Sequence, residues 1–147
     1  MKNTFKRKSI GYAFAIAIIL LSSNFTYKDK ATNEKVVRNV YAAYEKKDWN
    51  LLKSLFAEGF TFTSPVDDHI EIKEYKVRCW PNANNIKKFD IEKLVVDGDD
   101  VFVLYNGSNN SGKKFRNTEY FKLKDGKIKE FTCFFGPGIS FPNNAKK

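Results

Sequence analysis

The stretch "DWNLLKSLFAEGFTFTSPVDD", Asp48 to Asp68, changes its period halfway along, and that change decides the fold class. In its first part Leu51, Leu52, Leu55 and Phe56 make one apolar helical face, with Asp48 placed to cap its start and Gly59 to stop it. From Phe60 the period falls to two, so Phe60, Phe62 and Ser64 share one face of a strand while Thr61 and Thr63 share the other. Pro65 then turns the chain toward Asp67, Asp68 and His69, the one histidine of the sequence.

Upstream, "TNEKVVRNVYAAYEKK" (Thr32–Lys47) places Val36, Val37, Val40, Tyr41 and Tyr44 on one stripe of helical period, with Thr32 or Asn33 as cap. Downstream, "KEYKVRCW" (Lys73–Trp80) is a third helical piece, ended by Pro81 and the Asn-rich "NANN". Strands follow to Gly136, with hairpin turns at Asp97–Asp99 and Lys124–Lys127 and a further turn at "NNSGK". Helices first and a meander of antiparallel strands afterwards is an α+β plan in which the sheet wraps the helices.

A chain of 147 residues has room for one domain. The first residues stand apart from it. "MKNTFKRKS" is basic without an acid, and "IGYAFAIAIILL" (Ile10–Leu21) follows as an apolar run of 12 residues. That layout is an export signal, too short to cross about 30 Å of hydrocarbon as a straight helix. The expected divisions are residues 1–27 as signal peptide, 28–140 as the domain and 141–147 as a polar tail. The destination is then periplasmic or extracellular, and an uncleaved N-terminal anchor is the alternative. No other membrane segment is expected.

Without residues 1–27 the chain keeps 22 basic and 17 acidic residues, so the formal charge falls from +9 to +5. The remaining Lys are interleaved with Asp and Glu, as in "EIKEYKVR" and "KLKDGKIK", which describes a solvated face; a nucleic-acid surface would gather them on one stripe. Cys79 and Cys133 are the two thiols, and the sequence leaves open whether they pair. With a single His they give no clustered metal ligands, and there is no Gly-rich phosphate loop or Ser-His-Asp set. No cofactor is expected.

The order "VVRNVYAAYEKKDWNLLKSLFAEGFTFTSPVD", a short helix, "KLVVDGDDVFVLYNGS" and "EYFKLKDGKIKEFTCFFG" resembles the SnoaL-like branch of the nuclear transport factor 2-like (NTF2-like) superfamily over residues 32–136. The resemblance implies a cone, with N-terminal helices packed in a strongly curved, mostly antiparallel sheet and a pocket opening at the wide end. In the ketosteroid isomerases of this shape an Asp base works with a Tyr and a protonated Asp. Carried over, these roles fall on Ser64, Val40 and Glu119, so one of the three is filled, with Tyr41 about 100° around the helix from Val40.

Glu119 is in phase with Phe121 and Leu123, an acid on an apolar face whose pKa burial would raise; the alternative is a pairing with Lys or Tyr at a sheet edge. Cys133 shares its face with Phe131 and Phe135. Tyr44, Phe62, Ser64, Tyr75, Trp80, Tyr105, Glu119, Cys133 and Phe135 are therefore the candidate ligand-binding residues. Glu119 and His69 are the candidate catalytic pair, against the reading of His69 as a plain surface histidine beside Asp67 and Asp68, which the divergence of adjacent turn residues favours. The leading expectation is non-catalytic binding of a small apolar molecule. An isomerase or dehydratase and a homodimer formed through the outer sheet face are the alternatives.

Overall fold

A computed structural model describes residues 30–135 of the chain. The expected signal segment 1–27 and tail 141–147 lie outside the described residues, as do both ends of the expected domain. Among the described residues no helix is long and apolar enough to cross a membrane.

Helix α1 covers 30–46 and buries Asn33, Val37, Val40 and Tyr41, a stripe spaced four, three and one residues apart. Thr32 and Asn33 are thus inside the helix and do not cap it; the Asn33 amide donates to the Gly98 carbonyl, tying α1 to a hairpin turn. The C-terminus closes by a Schellman arrangement. Lys47 takes a left-handed φ of 59°, its N–H bonds to the Tyr44 carbonyl, and the Asp48 N–H bonds to that of Ala43.

Asp48 then caps α2 (Trp49–Leu55), its carboxylate accepting from the Leu51 N–H. Gly59 does not end this helix, as its composition suggested. Strand β1 already begins at Phe56 and runs to Ser64. Gly59, with φ of 64°, sits instead in an irregularity of that strand, where the Lys129 ammonium bonds to the carbonyls of Glu58 and Gly59.

The acids after Pro65 form a short strand, β2 (Asp67–Glu71), paired antiparallel to β1. Helix α3 (Ile72–Arg78) follows, and Pro81 opens a 3₁₀ turn over Trp80–Asn85. The long strands β3 (Ile86–Asp97), β4 (Asp100–Asn109), β5 (Lys114–Lys124) and β6 (Lys127–Cys133) complete the sheet. Its order is β2-β1-β6-β5-β4-β3, antiparallel throughout except for β1 beside β6. The Asp125-Gly126 loop has positive φ at both residues, the geometry a two-residue hairpin requires.

The helices lie on one face of this sheet. At the end near the Gly98 and Gly126 turns the space is filled by Val37, Leu52, Val101, Phe121, Leu123 and Ile128, all almost wholly buried. Tyr75 of α3 is the centre of a second cluster, its ring 4.9 Å from Phe62, 5.6 Å from Phe60 and 5.8 Å from Phe56. Between these fillings, toward the C-terminal half of α1, the space is open.

Candidate functional site

The period-two alternation of β5 turns Asn117, Glu119, Phe121 and Leu123 inward, and Glu119 alone among them carries a charge-forming group into the apolar space. Register places Cys133 of β6 and Val103 of β4 opposite it. Three donors converge on its carboxyl. The Tyr41 hydroxyl from α1 bonds to Oε2 at 2.6 Å, and the Tyr105 hydroxyl from β4 bonds to Oε1 at 2.9 Å. The Cys133 thiol lies 3.4 Å from the same Oε1. Asn117 braces the group, its amide donating to the Tyr105 hydroxyl at 3.2 Å and the Cys133 sulfur at 3.0 Å.

With the residue only 6% exposed, burial raises the Glu119 carboxyl above its ordinary range, and the bonds from Tyr41, Tyr105 and Cys133 oppose that rise. Burial, and then the charge of Glu119, pushes Tyr41, Tyr105 and Cys133 up in turn. These groups therefore stay protonated at neutral pH and act as donors. Cys79, pushed to about 11 chiefly by burial, is likewise no nucleophile.

Above Glu119 opens a cavity of about 820 Å³. Its walls include Val40, Tyr44, Phe62, Phe89, Phe115 and Phe131. The mouth carries a second polar group. Asp67, with its side chain only 8% exposed, accepts from the Ser64 hydroxyl at 2.7 Å, and its Oδ1 lies 2.5 Å from the Arg78 guanidinium without the alignment of a hydrogen bond. Arg78 also holds Glu74 at 2.7 Å.

Of the sequence candidates, Tyr44, Phe62, Tyr105, Glu119, Cys133 and Phe135 line this cavity. Ser64, Tyr75 and Trp80 do not. A bulge between Phe62 and Ser64 breaks the alternation that aligned them, leaving the Ser64 hydroxyl on Asp67. Tyr75 is core, its hydroxyl spent on that of Tyr44, and Trp80 backs Tyr44 from behind at 5.1 Å between ring centroids. His69 is also outside. It stands within β2, where the register with β1 is irregular, with φ of 49° and a ring side chain 70% exposed, beside the still more exposed Asp68. The pair of Glu119 and His69 is not brought together. Cys79 and Cys133 are free thiols on the cavity wall.

Sequence reading missed Tyr41, which, and not its neighbour Val40, reaches Glu119. It also passed over Asn117, although Asn117 lies two residues before Glu119 and so in phase with it, and Asp67, for which the interrupted period around Pro65 gave no signal. Among the described residues no group of three or more His, Cys, Asp or Glu could hold a metal ion.

Residues 37–131 match the family model described as a SnoaL-like domain. The chain belongs to the SnoaL-like family. The sheet and helices of this SnoaL-like protein superpose on an NTF2-like protein of unknown function from Cytophaga hutchinsonii at 23% identity and a TM-score of 0.59, covering 71% of this chain and 90% of that one. A candidate SnoaL-like polyketide cyclase from Jannaschia sp. is similar at 18% identity and a TM-score of 0.60, over 72% and 86%. A candidate ketosteroid isomerase from Kribbella flavida is similar at 16% and 0.64, over 78% and 84%. At these identities the likeness is one of fold. No curated protein matches the sequence.

Proposed function

We propose that this SnoaL-like protein binds a small, largely apolar molecule in its cavity without transforming it. The observation that carries the reading is the pairing of an aromatic wall with a polar floor of hydrogen-bonded groups around a single carboxyl: His69 stands outside, and the tyrosines and thiols hold their protons. An isomerase or dehydratase needs a group that accepts a proton from carbon, and the hydrogen bonds from Tyr41, Tyr105 and Cys133 weaken Glu119 as a base. Native mass spectrometry of the purified protein tests the reading, together with titration followed by tryptophan fluorescence, since Trp80 packs on the cavity residue Tyr44. A retained apolar metabolite, released on denaturation and unchanged on return, is the expected result. Turnover of that metabolite would overturn it.

Export is part of the proposal and rests on the basic start and apolar run of the sequence. Its check is the mass of the protein recovered outside the cytoplasm, expected to lack about the first 27 residues. A homodimer is favoured by one surface feature. Val95, Phe102 and Tyr120 lie in register on three adjacent strands, and Phe102 is 49% exposed. Light scattering that gives the monomer mass at all concentrations would dismiss it.

A further inference from the structure

The electrostatics of the cavity floor restrict the ligand further, given the binding role proposed above. An ionised carboxyl offers about four lone-pair directions. Tyr41, Tyr105 and Cys133 take three of those on Glu119. Hydrogen bonds distribute the charge but do not cancel it, and among the described residues no cation pairs with Glu119. Arg78, the guanidinium on the cavity wall, is committed to Asp67 and Glu74. Burial without a counter-ion makes the ionised form costly, and a ligand that brings a cation offsets part of that cost and stabilises the carboxylate.

The surroundings suit a particular kind of counter-ion. The rings of Tyr41, Phe89 and Tyr105 stand 5.1 to 5.2 Å apart, each edge-on to the others, beside the carboxyl. Aromatic rings gathered around an acid attract an organic ammonium through their π faces as well as through the charge. An alcohol could use the remaining lone pair but bring no charge. A carboxylic acid would add a like charge at the floor and would have to keep its acid at the mouth near Lys113.

We infer that the ligand carries an amine, held as its ammonium by Glu119 beside the rings of Tyr41, Phe89 and Tyr105, with its apolar body along Phe62, Phe115 and Phe131.

The test compares three ligands with one apolar body, 4-phenylbutylamine, 4-phenylbutanol and 4-phenylbutanoate, titrated at pH 7 into the intact protein and read by calorimetry and tryptophan fluorescence. The amine is expected to bind at least about tenfold more tightly than the other two. That advantage should vanish in Glu119→Gln, which keeps the shape and loses the charge. Equal binding of the alcohol, tighter binding of the acid, or an amine preference that survives Glu119→Gln overturns the inference while leaving the cavity a binding site. Failure of all three compounds to bind at millimolar concentration removes the binding role and this inference together.

Should Glu119→Gln not fold, pH carries the test on the unaltered protein. The titratable groups that feel Glu119 are Tyr41 and Tyr44 from α1, Tyr75 from α3, Tyr105 from β4 and Cys133 from β6, each raised chiefly by burial and protonated throughout the titration. Asp67, Arg78 and Lys113 stand at the wall and mouth. An ammonium must displace the proton that burial favours on Glu119, so amine affinity should rise from pH 5 to pH 8 while alcohol affinity stays level. Parallel curves for the two would overturn the inference.

Discussion

Glu119 holds its carboxyl where water solvates it poorly, so its ionisation competes with folding. Its native pKa is raised, chiefly by burial. Between the ordinary carboxyl range and that raised value, the native protein keeps a proton that the unfolded chain has lost, and stability falls as pH rises. Below the ordinary range both states are protonated and the effect is absent. Glu119→Gln removes this titration. The stability of wild type relative to Glu119→Gln, taken from urea midpoints, should therefore decline from pH 4 upward and level off once native Glu119 is ionised; a constant difference would contradict the raised value. Much of this residue's setting was legible. Alternation along β5 placed Glu119 inward, and the same period on β6 turned Cys133 to the inner face with Phe131; register alone sets the two side by side. Tyr41 was not legible, because a one-residue offset turns a helical side chain by about 100° and only packing fixes the rotation of the helix. Ser64 leaves its expected face for a related reason, while His69 stands exposed, as its reading as a surface histidine has it. A bulge re-aims side chains and leaves no mark in a two-residue period.

At the scale of elements, the junctions matter more than the propensities. The Schellman end of α1 and the Asp48 cap of α2 share adjacent residues, so the chain reverses within Lys47 and Asp48. Asp48→Ala strips one donor's partner and should cost about 1 kcal/mol, measured by chemical denaturation, with ligand binding unchanged. The β4–β5 pair holds a tighter constraint. Gly107 faces Phe115, and a Cβ built on Gly107 would stand 2.2 to 2.7 Å from that ring. The ring stands edge-on to Phe89 and Tyr105 and borders the cavity, so a Cβ would push it toward those rings or into the open space. Gly107→Ala should destabilise the fold by about 1–3 kcal/mol and also weaken ligand binding, because the displaced ring is a cavity wall. Loss of stability with unaltered affinity would place the strain elsewhere. The sequence announced the helix-to-strand order and both hairpin turns. It concealed the early start of β1 because Gly59 reads as a helix stop, whereas a left-handed glycine serves equally well inside a bulged strand, here with Lys129 bonded to the carbonyls.

The molecule as a whole is filled at one end and hollow at the other, and the two ends should differ in how they open. At the filled end, Phe121, Leu123 and Ile128 bury the strands against Val37 and Leu52, so their amides should exchange only when the whole domain unfolds. The hollow end is framed by connections: the 3₁₀ turn at Trp80–Asn85 and the bend between β4 and β5, joined by bonds from Asn110 to the carbonyls of Asn84 and Asn85. Asn84, Asn85 and Asn110 are exposed, and Trp80, Ala83 and Ile86 are the apolar anchors beneath them, so these connections should open locally and at lower cost than the strands of the filled end. A ligand that spans floor and mouth binds the closed arrangement and not the open one, which stabilises it according to ligand concentration over Kd; a hundredfold excess adds about 2.7 kcal/mol. Hydrogen exchange followed by mass spectrometry should then show peptides over 80–86 and 108–114 slowed strongly by the amine ligand. Peptides over 119–124 should slow only when the ligand also raises the melting temperature of the whole domain. Uniform slowing without a preference for the mouth would mean that the cavity closes as part of the global fold, and that the two ends are one cooperative unit.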